Sequence, residues 1–134
     1  MINLKKKKEK EVIFYEISEF KYYLEDDLRS SPNTVAAYIS DLEQYASFLN
    51  KYEKIDEVTQ ITREDIVKYI QSMKRRNLSK PSITRKIIAI KEFHRFLFKE
   101  DITKQDPAKH IEIPKSEKPL PVVLSKEEID LMIS

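Results

Sequence analysis

The chain has 134 residues with no glycine and no cysteine, and 25 Lys and Arg against 23 Asp and Glu give a net charge of +2. The lack of cysteine excludes a disulfide framework, a thiolate nucleophile and a Cys-based zinc site. The lack of glycine argues against Gly-rich phosphate loops, nucleophile elbows and tight hairpins, which need positive φ or close backbone approach. The length fits one domain, and Lys, Glu, Ile and Leu at helical spacing predict an all-α fold.

Two amphipathic helices are predicted in the first part of the chain. The first covers roughly residues 11–28, and the second begins at Ser31-Pro32, where a capping residue precedes a proline at the first helical position. Their predicted core positions recur at helical spacing and are Ile13, Ile17, Phe20, Leu24 and Leu28 in the first helix and Val35, Ile39, Leu42, Ala46 and Leu49 in the second.

Two further helices are predicted between Thr62 and Lys99. The third begins at Thr62, whose hydroxyl can cap the amide near Asp65, and ends near Asn77. The fourth begins within residues 79–82, with Pro81 tolerated in its first turn. Their predicted core positions are Ile66, Tyr69 or Ile70, and Met73 in the third helix, and Ile83, Ile87, Ile90 and Leu97 with flanking Phe93 in the fourth.

After residue 101 the sequence pattern changes. Asp106-Pro107 predicts a short helical turn, and three further prolines between residues 114 and 121 predict an extended segment. Residues 125–128 form a capping box at the start of another helix. We therefore predict a flexible basic arm over 1–10, a helical domain over 11–111, an extended linker over 112–124 and the start of a further domain over 125–134. The arm lacks a following apolar stretch and is not a secretory signal.

Charge is distributed very unevenly along the chain. Between Lys74 and Lys99 there are nine Lys or Arg and one acid, Glu92, whereas residues 11–65 carry thirteen acids and five bases. Such an uneven charge distribution is typical of a protein with one face that binds a polyanion. A solvated, Lys-rich helix surface is the alternative, and charge alone does not separate the two.

The basic residues of the fourth helix are placed to contact nucleic acid. On a helical wheel they lie opposite the apolar stripe (Arg85, Arg95 and Lys99) or along its margins (Lys80, Lys86 and Lys91), and residues 74–76 add charge before the helix. Such a helix can be buried on one side and enter a DNA groove on the other, with long basic side chains reaching phosphates and an Arg available for guanine.

The start of the second helix offers shorter polar groups. Asn33, Thr34 and Tyr38 can form hydrogen bonds near a positive helix end. Helix capping by Asn33 and Thr34, and packing by Tyr38, are the alternatives.

The histidines and tyrosines do not form a recognisable catalytic or metal site. His94 falls on the apolar stripe and is predicted to be a core residue, while His110 has no partner at metal-ligand spacing. The tyrosines fall on or near helix stripes, and no Arg, Lys and His constellation surrounds them in sequence. We therefore expect no metal, no cofactor and no small-molecule ligand. No apolar run approaches the length of a membrane span. The lack of cysteine favours a reducing compartment, and we expect a cytoplasmic protein.

The ordered motifs also match a family pattern. Ser31-Pro32-Asn33-Thr34, Ala37-Tyr38 and Asp41-Leu42 resemble the S-x-N-T-x-x-x-Y-x-x-D-L opening of the core-binding domain of tyrosine recombinases, the phage integrase and Xer-type group. The last long helix of that domain is resembled by residues 82–85, 90 and 93–97. The segment that leaves the domain is resembled by residues 106–108 and 113–115, and the entry to the catalytic domain by residues 120–129.

The resemblance implies a four-helix, SAM-like orthogonal bundle followed by an extended Pro-containing linker. Such a bundle forms half of a C-shaped clamp around a recombination site, with the second and fourth helices in the major groove. Double-stranded DNA and other recombinase protomers are the implied partners. Together, charge and resemblance predict these DNA-binding residues: Asn33, Thr34, Tyr38, Arg75, Lys80, Ser82, Arg85, Lys86, Lys91 and Arg95.

The family's catalytic motif is missing from this sequence. Three residues after His94 stands Leu97, and three after His110 stands Ile113, so neither forms a His-x-x-Arg motif. We therefore expect this chain to bind DNA without cutting it, as part of a DNA-cleaving and rejoining tyrosine recombinase whose catalytic domain begins near residue 125. The alternatives are a helical interaction module whose basic face binds an acidic protein and a standalone helix-turn-helix regulator.

Overall fold

A computed structural model describes residues 13–114 and shows an all-α fold in that range. Helix α1 includes residues 13–22 and continues into a π-helical turn, Tyr23–Asp27. It is followed by α2 (Pro32–Tyr52), a 3₁₀ turn (Val58–Gln60), α3 (Arg63–Arg75) and α4 (Lys80–Lys99). No strand occurs among these residues. The predicted four-helix, all-α fold is confirmed, whereas the predicted arm over 1–10, most of the linker over 112–124 and the helix start over 125–134 lie outside the described residues.

Each of the three later helices begins at the predicted residue. Ser31 and Ser79 each accept a hydrogen bond from the backbone N–H three residues further along, at 3.2 and 3.3 Å. Thr62 and Asp65 form a reciprocal capping box at the start of α3. Because the first amides of a helix have no partner within the helix, these side chains stabilise the three N-termini directly.

The helices end in left-handed backbone although the chain has no glycine. Four residues, one just after each helix, have φ between 53° and 62°: Arg29, Lys54, Asn77 and Asp101. After α2, α3 and α4, the residue that directly follows the left-handed one is apolar and packs on the core. These residues are Ile55, Leu78 and Ile102. A residue with a Cβ adopts this conformation at a cost of about 1 to 2 kcal/mol. The absence of glycine therefore did not exclude positive φ, because core contacts just beyond α2, α3 and α4 hold the chain in this conformation.

Replacing Lys54 with glycine is expected to raise the free energy of unfolding by about 0.5 to 1 kcal/mol. Relief of the left-handed strain outweighs the extra entropy that glycine has in the unfolded chain. Chemical denaturation measures the change. Lys51→Gly, in the helical last turn of α2, is the matched control and should instead destabilise by up to about 1 kcal/mol. A destabilised Lys54→Gly variant would contradict the left-handed ending of α2.

One continuous apolar core joins all four helices. Phe20 of α1 packs edge-on against Phe93 of α4, with ring centroids 5.6 Å apart. The predicted core is confirmed at nearly every position; Ile39 is half-buried, and Leu28 is 50% exposed. The Leu28 prediction was wrong because the π-helical turn changes the residue spacing at the end of α1 and rotates Leu28 away from the apolar stripe.

Candidate nucleic-acid interface

A buried carboxylate joins α2 to α4. Asp41, which is 1% exposed, accepts two parallel hydrogen bonds of 2.8 Å from Nε and Nη2 of Arg85. Lys86 Nζ donates to the same carboxylate at 2.8 Å and to Gln44 Oε1 at 3.2 Å. Two successive residues of α4 therefore hold one carboxylate in the third turn of α2. This arrangement fixes the position of α4 relative to α2.

The two basic partners of Asp41 differ in exposure. The Lys86 side chain is 8% exposed, whereas that of Arg85 is 46% exposed. The hydrogen bond to Asp41 raises the pKa of Arg85, which stays fully charged. A guanidinium has five N–H donors, and Asp41 takes two of them. Arg85 is thus held rigidly while its remaining donors can reach another molecule.

Tyr38 lies beside this pair. The residue is half-buried against the core, and burial is the main reason that its pKa is raised above the usual value. Glu92 and Asp41 raise the pKa of Tyr38 further, whereas Arg85 opposes them. The packing that we considered as an alternative is present, and the same side chain lies next to Arg85.

Exposed polar groups stand at the first turns of α2 and α4. Asn33 is exposed and the capping residue of α2 is Ser31, which also donates to the Thr34 hydroxyl at 3.0 Å. At the start of α4, Ser79 donates to the Ser82 hydroxyl at 3.1 Å. Thr34 and Ser82 therefore assist the caps, while Asn33 makes no capping bond.

Lys91 faces the segment that follows α4. Its ammonium donates to the backbone carbonyls of Ala108, Lys109 and Ile111, and both Ala108 and Ile111 are buried. The carbonyls of a short turn need donors, and the ammonium supplies three. Lys91 thus fastens residues 108–111 onto α4.

The other predicted basic residues are at the surface. Arg95 is 68% exposed and makes a loose ion pair of 3.8 Å with Glu92. Lys80 is the exposed first residue of α4, and Arg75 is the exposed last residue of α3. Exposed pairs of this kind contribute little to stability, so Arg95 can exchange Glu92 for another anion at small cost.

His94 is buried in the core as the sequence predicts. It is 0% exposed, and its Nε2 lies 2.9 Å from the Tyr45 hydroxyl, while Nδ1 has no hydrogen-bond partner. Burial lowers the pKa of His94 to about 3 and raises that of Tyr45 well above its usual value. Both groups are therefore neutral near pH 7, and His94 contributes to the helix packing and not to a surface site.

Sequence reasoning missed the role of Asp41. Asp41 is part of the motif at the start of the second helix, and the motif itself does not indicate a structural role for its carboxylate. A usable signal was present, because Asp41 directly precedes the core residue Leu42, whereas the acids Glu25, Asp26 and Asp27 form an exposed run. A carboxylate at the edge of an apolar stripe needs a cationic partner, and α4 carries adjacent basic residues.

Residues 13–114 contain neither a candidate membrane span nor a candidate metal site. No helix in this range is both long and apolar enough to cross a bilayer. Nor does the same range bring together three or more His, Cys, Asp or Glu side chains in an arrangement that could hold a metal ion.

Comparison with known proteins assigns the fold to a family. A family model for the phage integrase N-terminal SAM-like domain matches residues 17–101. Tyrosine recombinase XerD of Oceanobacillus iheyensis is 35% identical over 119 residues, which are 89% of this chain and 40% of that protein. XerD of Halalkalibacterium halodurans is 33% identical over 92% of this chain and 42% of its own length. XerC of Oceanobacillus iheyensis is 35% identical over 85% of this chain and 37% of its own length.

The chain spans about 40% of the length of the curated relatives it matches. No solved structure matches it significantly. Because the family match covers more than half of the chain, from residue 17 to residue 101, this protein belongs to the phage integrase N-terminal SAM-like domain family.

Proposed function

We propose that this domain binds duplex DNA through α2 and α4, as the DNA-binding part of a site-specific tyrosine recombinase. The observation that carries the proposal is the geometry of Arg85. Its guanidinium is fixed by a bidentate contact with the buried Asp41, and nearly half of its side chain is exposed beside the two helices. A pre-positioned guanidinium loses less entropy when it binds a phosphate or a guanine than a free side chain does.

The proposed face combines this arginine with exposed groups from both helix starts and from the neighbouring basic surface. Its members would contact bases or phosphates directly, and they are Asn33, Thr34, Tyr38, Arg75, Lys80, Ser82, Arg85 and Arg95. Lys86 and Lys91 do not contact DNA directly in this proposal. The Lys86 ammonium is bound to Asp41, and the Lys91 ammonium is bound to backbone carbonyls of residues 108–111. Both residues would affect DNA binding by positioning other groups.

We further propose that strand cleavage belongs to a part of the recombinase other than this domain. The described residues place His94 in the core and give it no surface role, and the sequence has no His-x-x-Arg motif. The relatives are tyrosine recombinases that are more than twice as long as the matched segment. In this proposal the parent protein acts in the cytoplasm with other recombinase protomers, and this domain clamps one side of the recombination site.

Titration of a fluorescent duplex of about 30 base pairs tests the DNA-binding proposal, because each neutralised phosphate releases counterions. Six phosphate contacts would give a slope of about −5 for log affinity against log salt. We expect steep weakening between about 50 and 250 mM salt. No binding at the lowest salt would contradict the proposal and would favour an acidic protein as the partner.

Asn33→Asp is expected to weaken DNA binding about tenfold without loss of stability. A carboxylate near a phosphate is repelled by roughly 1 kcal/mol or more, whereas an acid in the first turn of α2 interacts favourably with the helix dipole. Anisotropy and thermal melting measure the two effects. Gln60→Glu, after the far end of α2, makes the same charge change and should alter affinity less than about twofold. If Asn33→Asp and wild type bound DNA with equal affinity, the start of α2 would not belong to the interface.

A further inference from the structure

A polar groove lies between α2 and α3, beside the face described above. Its volume is about 770 Å³. Apart from two tyrosines, the groove is lined by five uncharged polar side chains that can form hydrogen bonds: Ser40, Gln44, Ser47, Gln71 and Ser72. Gln44 also accepts from Lys86, so one wall of the groove is continuous with the Asp41 cluster.

Tyr69 of α3 lies on the wall of this groove, and its hydroxyl has no acceptor. The residue is 1% exposed, and its hydroxyl proton finds no acceptor in the folded domain. Its ring is held between those of Tyr45 and Phe48, at centroid distances of 5.3 and 5.0 Å. A buried hydroxyl without an acceptor is costly, and its position here is fixed by packing.

Two arginines at the end of α3 complete the groove. Arg75 and Arg76 are exposed, and no carboxylate among residues 13–114 forms an ion pair with either. Burial raises the pKa of the Tyr69 phenol, and the nearby Arg76 guanidinium opposes this rise through its charge and as a hydrogen-bond donor to the phenol oxygen. Of the two acids on the groove wall, Glu53 pairs with Lys68 at 3.3 Å, and Glu43 is exposed. The groove therefore has an excess of cations and a buried donor.

We propose that this groove binds a backbone phosphate of the DNA that contacts α2 and α4. The inference rests on the proposed function and extends the contact to α3. A phosphate offers acceptor oxygens to Arg76 and to the Tyr69 hydroxyl, which has none in the free domain. The hydroxyl is covered in the free domain, so the exposed Arg76 side chain must move as the phosphate enters. Exposed side chains change rotamer within nanoseconds.

The phenylalanine variant of Tyr69 separates a role of the hydroxyl in DNA binding from a purely structural role. Tyr69→Phe keeps the ring contacts and removes only the hydroxyl. We expect DNA affinity to fall about tenfold, as for loss of a hydrogen bond to a charged group, while the melting temperature stays the same or rises. Duplex titration and thermal melting of the whole chain measure both.

Arg76→Gln tests the same groove through charge. We expect the salt slope to become smaller in magnitude by about 0.9, the effect of one lost phosphate contact. Arg63→Gln is the matched control, because Arg63 is exposed at the opposite end of the same helix, and its salt slope should equal that of wild type. Wild-type affinity for Tyr69→Phe, or equal slopes for Arg76→Gln and Arg63→Gln, would overturn the groove assignment and leave DNA binding standing. A wild-type domain that binds no DNA would overturn both.

Discussion

Replacing Asp41 with alanine is expected to lower the free energy of unfolding by about 3 to 5 kcal/mol. The substitution leaves the Lys86 ammonium, whose side chain is 8% exposed, without its carboxylate. Gln44 alone cannot neutralise that charge. Arg85 loses its anchor as well, although its exposed side chain can turn to water. Chemical denaturation measures the stability, and DNA binding should weaken in the folded fraction because Arg85 is no longer positioned.

Two controls separate the unpaired charge from the loss of a side chain. Glu43→Ala removes an exposed carboxylate from the same helix, and we expect a change within about 0.5 kcal/mol. The double variant Asp41→Leu with Lys86→Met replaces the buried ion pair by apolar groups and should regain most of the loss, since such replacements are often neutral or stabilising. If Asp41→Ala lost less than about 1 kcal/mol, Lys86 would have to reach water easily, and the cluster would not fix α4 on α2.

Lowering the pH from 7 to 5 is expected to cost the domain about 2 kcal/mol through His94 alone. The pKa of His94 is lowered from 6.5 to about 3 by burial, so between these values the unfolded chain binds a proton that the folded domain does not. Stability is therefore complete above about pH 6.5 and is lost as the pH falls toward 3. For a domain of this size, the loss at pH 5 lowers the melting temperature by roughly 10 °C.

The chain provides a matched control for this pH dependence, because it has two histidines and His110 is exposed. His94→Gln should remove the acid destabilisation above pH 5, whereas His110→Gln should retain it. Burial raises the pKa of Glu16, which contributes with the opposite sign, since protonation stabilises such a group. That contribution is common to both variants and cancels in the comparison. Equal pH profiles for the two variants would contradict a buried, neutral His94.

The helices and most of the core could be predicted from sequence because the relevant signals are local. Ser31, Thr62 and Ser79 cap amides only three residues away, and apolar residues at 3.6-residue spacing face the same side wherever a helix forms. The one clear error in the core, Leu28, arose where a π-helical turn breaks that spacing. Positive φ at Lys54 was missed, because lysine has no preference for this conformation and the packing of Ile55 just beyond α2 depends on the fold.

The candidate interface was only partly predictable, since a sequence shows which charges exist but not which of them are neutralised. Lys86 and Lys91 belong to the same basic stretch as Arg85 and Arg95. In the folded domain Lys86 forms an ion pair with Asp41, a residue 45 positions earlier, and Lys91 donates to carbonyls up to 20 positions later. Likewise, the Tyr69 hydroxyl lacks an acceptor only because α2 and α3 bury it. Local sequence determined the helices, their caps and the family. Tertiary packing decided which cations remain available to a ligand, because a charge interacts strongly only with partners that the fold brings close to it.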